Sequence, residues 1–168
     1  MANAAPEPLA TPHPLGDNAV KAIAEKLNGV LADAFTLYMK TKNFHWHVSG
    51  PRFRSIHLML DDQADQIFAM TDDVAERVRK LGGRTLTSIK SIAANSVIKE
   101  NDKPYVPAPE MLAELAKDNR VFAQRLRDAH EVADEHDDFA TTSVIENWLD
   151  ETEKRAWFLF ESTREEIE

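Results

Sequence analysis

The sequence predicts an all-α protein that folds as one domain around four long helices. Apolar residues recur at the three- and four-residue spacing of a helix and not at the alternating spacing of a strand. Only five glycines occur in 168 residues, and hydrophobic residues make up 43% of the chain. This length and composition suffice for one domain with a full hydrophobic core.

The charge and composition exclude several classes of protein. The 29 acidic and 20 basic residues give a net charge of −9, which repels phosphate backbones and suits a protein that collects cations. The chain has no cysteine, so disulfides, thiolate metal sites and a cysteine nucleophile are excluded. No apolar run approaches the length of a membrane span, and the N-terminus lacks the pattern of a signal peptide. We therefore expect a cytoplasmic protein that does not insert into a membrane.

The first half of the chain predicts a tail and a helical hairpin. Residues 1–16 hold four of the eight prolines and no lysine or arginine, which indicates a flexible or extended tail before a domain spanning 17–168. The first long helix is predicted at about 17–47. A short turn containing glycine and proline makes the second helix, at about 53–81, antiparallel to the first. A glycine pair then ends the second helix.

The second half of the chain predicts a crossover and a second hairpin. Residues 84–109 form a connection of 26 residues. Such a segment can return along the second helix, whose length is roughly 43 Å. A short helix is predicted within it at about 87–96. The third and fourth long helices are predicted at about 109–135 and 141–166, separated by a short acidic break. Two hairpins joined by one long crossover describe the ferritin-type four-helix bundle.

Apolar spacing also predicts which faces of the last two helices are buried. On the third helix the predicted inward residues are Leu112, Leu115, Phe122, Leu126 and Ala129. On the fourth they are Ile145, Trp148, Leu149, Thr152, Ala156, Leu159, Phe160 and Thr163.

The second helix presents two different stripes of side chains. One stripe, at successive spacings of four, four, three, four and four residues, consists of His57, Asp61, Asp65, Phe68, Asp72 and Glu76. These spacings place the side chains on one side of a helix. A neighbouring apolar stripe suits the core and consists of Ile56, Leu60, Ile67, Val74, Val78 and Leu81. The helix is therefore expected to face the interior on one side and to present imidazole and carboxylate groups on the other.

Imidazole and carboxylate at one-turn spacing are ligands for iron, manganese or zinc. His57 and Asp61 can hold one ion together, and so can Asp72 and Glu76. Asp61 and Asp72 are eleven residues apart, or about 16 Å along a helix, so the two pairs cannot share an ion within one chain. They can share one when two copies of the helix lie antiparallel across a two-fold axis near residues 66–67. A two-fold interface is isologous, so two equivalent sites would form.

Interpretations without a metal site stay open for the same residues. A charged stripe on an amphipathic helix is most often its solvated face. His45 continues the inward stripe of the first helix, so it is either a core histidine or a ligand that approaches His57 across the turn. The candidate metal-ligand set is thus His45, His57 and Asp61 from one chain with Asp72 and Glu76 from its partner. No glutamate stands three residues before any of the six histidines, so the di-iron site inside one bundle that uses Glu-x-x-His is not expected.

Several segments resemble the Dps family, the mini-ferritins. The strongest resemblance lies in Lys42–His47 (KNFHWH), Ser55–Asp61 (SIHLMLD) and Asp72–Arg77 (DDVAER), including the spacings between them. These segments look like the ferroxidase signature of that family. A weaker resemblance extends over most of the chain, including Leu81–Gly83 and Glu153–Trp157, and leaves out only the N-terminal tail.

The resemblance implies a hollow shell of twelve subunits with iron sites at two-fold interfaces. Position by position, it makes His45, His57 and Asp61 ligands from one subunit and Asp72 and Glu76 ligands from the other, with an aromatic residue, here Trp46, near the site. It implies a ferroxidase that oxidises Fe(II), usually with hydrogen peroxide in preference to dioxygen, and stores Fe(III) mineral. Iron would reach the site through acidic pores, and oxidative damage would be limited.

The N-terminal tail departs from the DNA-binding members of that family, which often carry a lysine-rich N-terminus. Here the first lysine or arginine is Lys21, so direct DNA binding through a basic tail is not expected. A DNA-compacting cage with secondary iron chemistry is the alternative function, and a purely structural bundle is a third. Asp65 is expected to be secondary to the site. The acidic cluster Asp134, Glu135, Asp137 and Asp138 is either a solvated turn or part of a pore for incoming cations.

Overall fold

The computed structural model describes residues 9–164 and contains five helices and no β-strand within them. The two hairpins and the helical crossover predicted from the sequence are confirmed, and the first four helices begin and end within two residues of their predicted bounds. No helix in the described part of the chain is long and apolar enough to cross a membrane. The helices are α1 (Asp17–His47), α2 (Phe53–Lys80), α3 (Ile89–Asn95), α4 (Ala108–Asp134) and α5 (Phe139–Glu161).

The four long helices pack as a bundle around one core. Helix α1 packs along α2 and α4, and α4 packs along α5, whereas α2 and α5 touch only sparsely. The apolar stripe predicted on α2 is buried along its whole length, and so are all the inward residues predicted on α4. The opposite side of α2, which carries the histidine and acidic stripe, is thereby left free to form a site.

The prediction of which residues of α5 are buried is partly wrong. Buried side chains on this helix recur at Ile145, Trp148, Thr152, Arg155 and Leu159. Phe160 follows this stripe by one residue, a rotation of about 100°, and its side chain is 52% exposed. The helix also ends at Glu161, earlier than expected. Its end coincides with the hydroxyl groups of Ser162 and Thr163, which hydrogen-bond back to the carbonyls of Phe158 and Phe160.

The long crossover is held in place by buried side chains of the bundle. Asp33 of α1 is completely buried. One of its oxygens accepts hydrogen bonds from the Ser96 hydroxyl at 2.9 Å and the Val97 amide at 2.7 Å. The other oxygen lies 3.1 Å from Nε of Arg125 on α4. These contacts satisfy polar groups of a segment that has little secondary structure of its own.

A second buried charge cluster fastens the crossover further along. The ammonium of Lys40 donates to Glu114 at 2.9 Å and to Asp118 at 2.7 Å, which ties α1 to α4. Glu114 also accepts from the side chain of Asn101 in the crossover. The crossover is therefore fastened to both α1 and α4.

One interpretation of the sequence required all four acidic residues between α4 and α5 to be solvated. The structure shows that they are not. Asp134, Glu135 and Asp137 are exposed, but Asp138 is only 4% exposed. Its carboxylate accepts from the Thr141 amide at 3.2 Å and from the Arg77 guanidinium at 2.7 Å. Asp138 therefore caps α5 and links it to α2.

The N-terminal tail is only partly described. Residues 1–8 lie outside the described part, so the expectation of a flexible tail remains a prediction for them. The next residues lie against the end of α2, where Arg79 donates to the carbonyl of Leu9. Gly82 has a φ of 83°, and a Cβ there would lie 2.6 Å from the Thr11 carbonyl oxygen, so this position requires glycine.

Candidate metal site

Two histidines meet where α1 ends and α2 begins. The rings of His45 and His57 are stacked, with centroids 3.8 Å apart and planes 21° from parallel. A short turn joins the two helices, and its Gly50 has a φ of 106°. This turn directs α2 back along α1 and brings the two side chains together. His45 is 7% exposed and His57 is half-buried.

Each ring is oriented by the backbone of the other histidine. Nδ1 of His45 lies 2.7 Å from the His57 carbonyl oxygen, and Nδ1 of His57 lies 2.9 Å from the His45 carbonyl oxygen. A carbonyl can only accept a hydrogen bond, so each Nδ1 carries the proton. In the neutral rings, both Nε2 atoms are then lone-pair donors. This second-sphere arrangement is common for histidines that bind metals.

Asp61 lies one turn after His57 on α2, on the side of the helix that faces the two histidines. Its Oδ1 is 3.6 Å from Nε2 of His45. This separation is short enough for both atoms to reach one ion at a ligand distance of about 2.1 Å. Asp61 and His45 can therefore bind one metal ion together without a change of backbone.

Lys42 also belongs to this site. Its ammonium hydrogen-bonds to Oδ1 of Asp61 and lies 3.8 Å from Oδ1 of Asp65. The hydrogen bond from Lys42 holds the pKa of Asp61 below its ordinary value, with the nearby imidazoles and the ammonium charge adding to the effect. The same hydrogen bond raises the pKa of Lys42.

Sequence reasoning did not place Lys42 among the site residues. The available signal was its position three residues before His45, which puts both side chains on one face of α1.

The remaining two candidate ligands lie apart from this group. Asp72 and Glu76 are exposed on later turns of α2, and Oε2 of Glu76 is 3.1 Å from the ammonium of Lys80. Across residues 9–164, no three His, Asp or Glu side chains gather into a metal site. One chain thus places His57 and Asp61 each beside His45, with Lys42 on Asp61, which is less than a complete metal site, and it does not bring Asp72 and Glu76 to them.

Exposed aromatic side chains lie on or beside α1 and α2, and one of them contacts the site. The ring of Phe53 lies 5.0 Å from that of His57, and the ring of Phe68 lies 4.9 Å from that of Tyr38. Trp46, Phe53 and Phe68 are 57%, 45% and 52% exposed. A cluster of exposed aromatic residues around polar groups is typical of an interaction surface.

Comparison with known proteins identifies the class. The chain matches the family model of the ferritin-like domain over residues 24–165. The helical bundle and this match define a ferritin-like protein. DNA protection during starvation protein 1 of Deinococcus radiodurans is 30% identical over 151 residues, which cover 90% of this chain and 73% of that protein.

Solved structures agree with this relationship. DpsC from Streptomyces coelicolor matches with a TM-score of 0.93 and 26% identity, over 100% of this chain and 96% of that one. Dps from Vibrio cholerae O1, described as a member of a broad superfamily of ferritin-like diiron-carboxylate proteins, matches with a TM-score of 0.85 and 25% identity. That match covers 89% of this chain and 94% of the Vibrio chain.

The chain therefore belongs to the Dps family of the ferritin-like superfamily, which confirms the resemblance seen in the sequence. Membership of this family suggests iron storage or DNA protection.

Proposed function

We propose that this protein stores iron as a ferroxidase, oxidising Fe(II) at sites between two subunits and depositing Fe(III) as mineral inside a hollow shell. The observation that carries the proposal is the stacked His45–His57 pair. Both Nδ1 atoms are engaged by backbone carbonyls, which leaves both Nε2 atoms free to bind a metal, and Nε2 of His45 lies 3.6 Å from the ionised carboxylate of Asp61. Such a donor set accepts Fe(II) readily.

Each site needs ligands from two chains. His45, His57 and Asp61 would come from one subunit, and Asp72 and Glu76 from its partner. The separation of about 16 Å between the two groups along α2 supports a partner helix running antiparallel across a two-fold axis. The exposed Phe53 and Phe68 support it further, because such an interface would cover them. We propose a shell of twelve subunits built from these dimers, located in the cytoplasm.

The ligand set fits the redox chemistry of iron. Carboxylates stabilise Fe(III) more than Fe(II), whereas imidazoles bind Fe(II) well, so the mixed set permits both states. Two Fe(II) ions can each give one electron to a molecule of hydrogen peroxide, which with two protons becomes two molecules of water. No hydroxyl radical is released when both electrons are delivered together. Hydrogen peroxide is the proposed oxidant, with dioxygen as the slower alternative.

Protection of DNA follows from this chemistry without contact with DNA. The Deinococcus relative is named for DNA protection. Removal of Fe(II) and peroxide suppresses the radicals that damage DNA. The net charge of −9 opposes direct binding to a polyanion. We propose that this protein protects nucleic acid through iron oxidation alone.

The decisive experiment is anaerobic oxidation of Fe(II) by limiting hydrogen peroxide, followed by native size exclusion with detection of iron. The wild type should oxidise iron rapidly, and the iron should elute with a large protein shell. The double variant His57→Ala/Asp61→Ala should oxidise iron at least about a hundredfold more slowly, because it lacks ligands that hold the ion during electron transfer.

A matched control removes the same residue types from α4. Asp128→Ala/His130→Ala changes one aspartate and one histidine away from the α1–α2 face and should behave as the wild type does. If wild type and His57→Ala/Asp61→Ala both oxidise iron no faster than buffer, the proposed ferroxidase function is wrong. The stacked histidines would then be a polar interface only.

A further inference from the structure

We propose that Lys42 is a displaceable cation of the metal site: its ammonium competes with a divalent metal ion for Asp61, and Asp65 accepts the ammonium when the metal takes Asp61. The inference rests on the proposed function, because it requires a metal ion to bind at His45, His57 and Asp61. It gives Lys42 and Asp65 a role in setting how tightly that ion is held.

The competition follows from the geometry at a single oxygen. Oδ1 of Asp61 accepts the hydrogen bond from Lys42, and the same atom lies 3.6 Å from Nε2 of His45. A metal ion bound to both atoms would share Oδ1 with the ammonium. Two cations on one carboxylate oxygen repel each other strongly at this short range, so the ammonium must leave that oxygen or weaken the binding of the metal.

Asp65 is positioned to receive the displaced ammonium. It lies one turn after Asp61 on α2, and its Oδ1 is already 3.8 Å from the Lys42 ammonium. A movement of about 1 Å would bring that distance into hydrogen-bonding range. The Lys42 side chain is only 16% exposed, so its charge stays near the two carboxylates and does not swing into bulk water. The Asp65 side chain is 77% exposed and can adjust to meet it.

A displaceable cation suits a site that must release its metal. Iron is the cargo of the proposed function, and a ferroxidase site that held the ion too tightly would not pass it to a mineral. The positive charge of Lys42 lowers the affinity for the ion. Asp65 limits that loss by stabilising the displaced ammonium. Together they would set an intermediate affinity with fast exchange.

The test is titration of the assembled protein with Co²⁺ alone, followed by calorimetry and by the visible absorption of the bound ion. Lys42→Met should bind Co²⁺ about tenfold more tightly than the wild type, because the competing charge is gone. Lys42→Arg, which keeps the charge, should stay within about threefold of the wild type. Lys42→Gln serves as a second neutral variant if Lys42→Met does not assemble.

Asp65→Asn separates this role from ordinary metal ligation. With Lys42 present, Asp65→Asn should weaken Co²⁺ binding several-fold, because the ammonium then has no second carboxylate. In the Lys42→Met background the same change should have no effect. An Asp65 that binds or attracts the metal directly would weaken binding equally in both backgrounds.

The outcomes distinguish this inference from the proposed function. If Lys42→Met binds Co²⁺ no more tightly than the wild type, or Asp65→Asn acts equally in both backgrounds, the role of Lys42 is overturned. The metal site still stands in that case, provided that His57→Ala abolishes Co²⁺ binding. If the wild type binds no Co²⁺, or binds it regardless of His57→Ala, both proposals are overturned.

Discussion

At the scale of single residues, the site depends on contacts between the end of α1 and the start of α2. The approach of His45 to His57 follows from helical spacing and a short turn, both of which are local properties of the chain. The exchange of Nδ1–carbonyl hydrogen bonds between them depends on the angle at which α1 and α2 cross. Likewise, the contact between Lys42 and Asp61 joins residues on different helices, and only the packed hairpin specifies it.

Arg155 is a second residue whose place was not predicted. A residue that usually lies at the surface is 1% exposed in the core, and burial lowers its pKa to about 10. Its guanidinium donates to Asn119 at 3.1 Å and to Thr152 at 2.7 Å, while Nη1 has no partner in the described part of the chain. Its burial therefore costs solvation energy that these contacts only partly offset.

We predict that Arg155→Met is as stable as the wild type or more stable, because methionine fills a similar volume without the charge. Arg155→Ala should instead lose about 3 kcal/mol, because it leaves a cavity. The penalty in the wild type is present at neutral pH, where the folded and unfolded chains are both charged, and is relieved only above pH about 10. Calorimetric unfolding at pH 7 measures both variants. Equal losses in the two variants would contradict the prediction and show that the charge itself stabilises the core.

At the scale of elements, the helices were predictable because their signals are local, while the supports of the crossover were not. Caps, turns and apolar periodicity predicted four long helices and their pairing. The length of the 84–109 connection indicated a crossover, yet nothing in that segment revealed that Asp33 and Glu114 hold it. The phase of α5 was misjudged at Phe160 because a polar Arg155 continues its buried stripe.

We predict that Asp33→Asn loosens the crossover and lowers stability by about 2 kcal/mol, since it leaves Arg125 without its partner carboxylate. The loss is smaller than for a fully buried pair because the Arg125 side chain is 27% exposed. Limited trypsin digestion measures the loosening, because cleavage after Lys90 or Lys99 requires the crossover to open locally.

The control for this prediction is Asp102→Asn, which removes an exposed acid from the same crossover. It should leave both the cleavage rate and the unfolding temperature unchanged. If Asp33→Asn is cut no faster than the wild type, contacts other than Asp33 hold the segment.

At the scale of the whole molecule, the net charge opposes direct binding to DNA. Its 29 acids exceed its 20 bases, and no lysine or arginine precedes Lys21. DNA binding draws most of its nonspecific affinity from lysine and arginine contacts with phosphate. An assembly of many such chains multiplies the negative charge, so the excess acids repel DNA more strongly than those of a monomer.

We predict that the assembled protein does not retain duplex DNA in a gel-shift assay, even at about 20 mM salt, where electrostatic attraction is least screened. The reason is that repulsion acts over the whole surface and residues 1–20 contain no lysine or arginine to offset it. The same preparation, loaded with Fe(II) and peroxide, should nevertheless protect plasmid DNA from strand breaks, and His57→Ala/Asp61→Ala should not. Tight retention that is lost on raising the salt would show that a basic surface forms on assembly, and protection would then act through contact with DNA as well as through removal of iron.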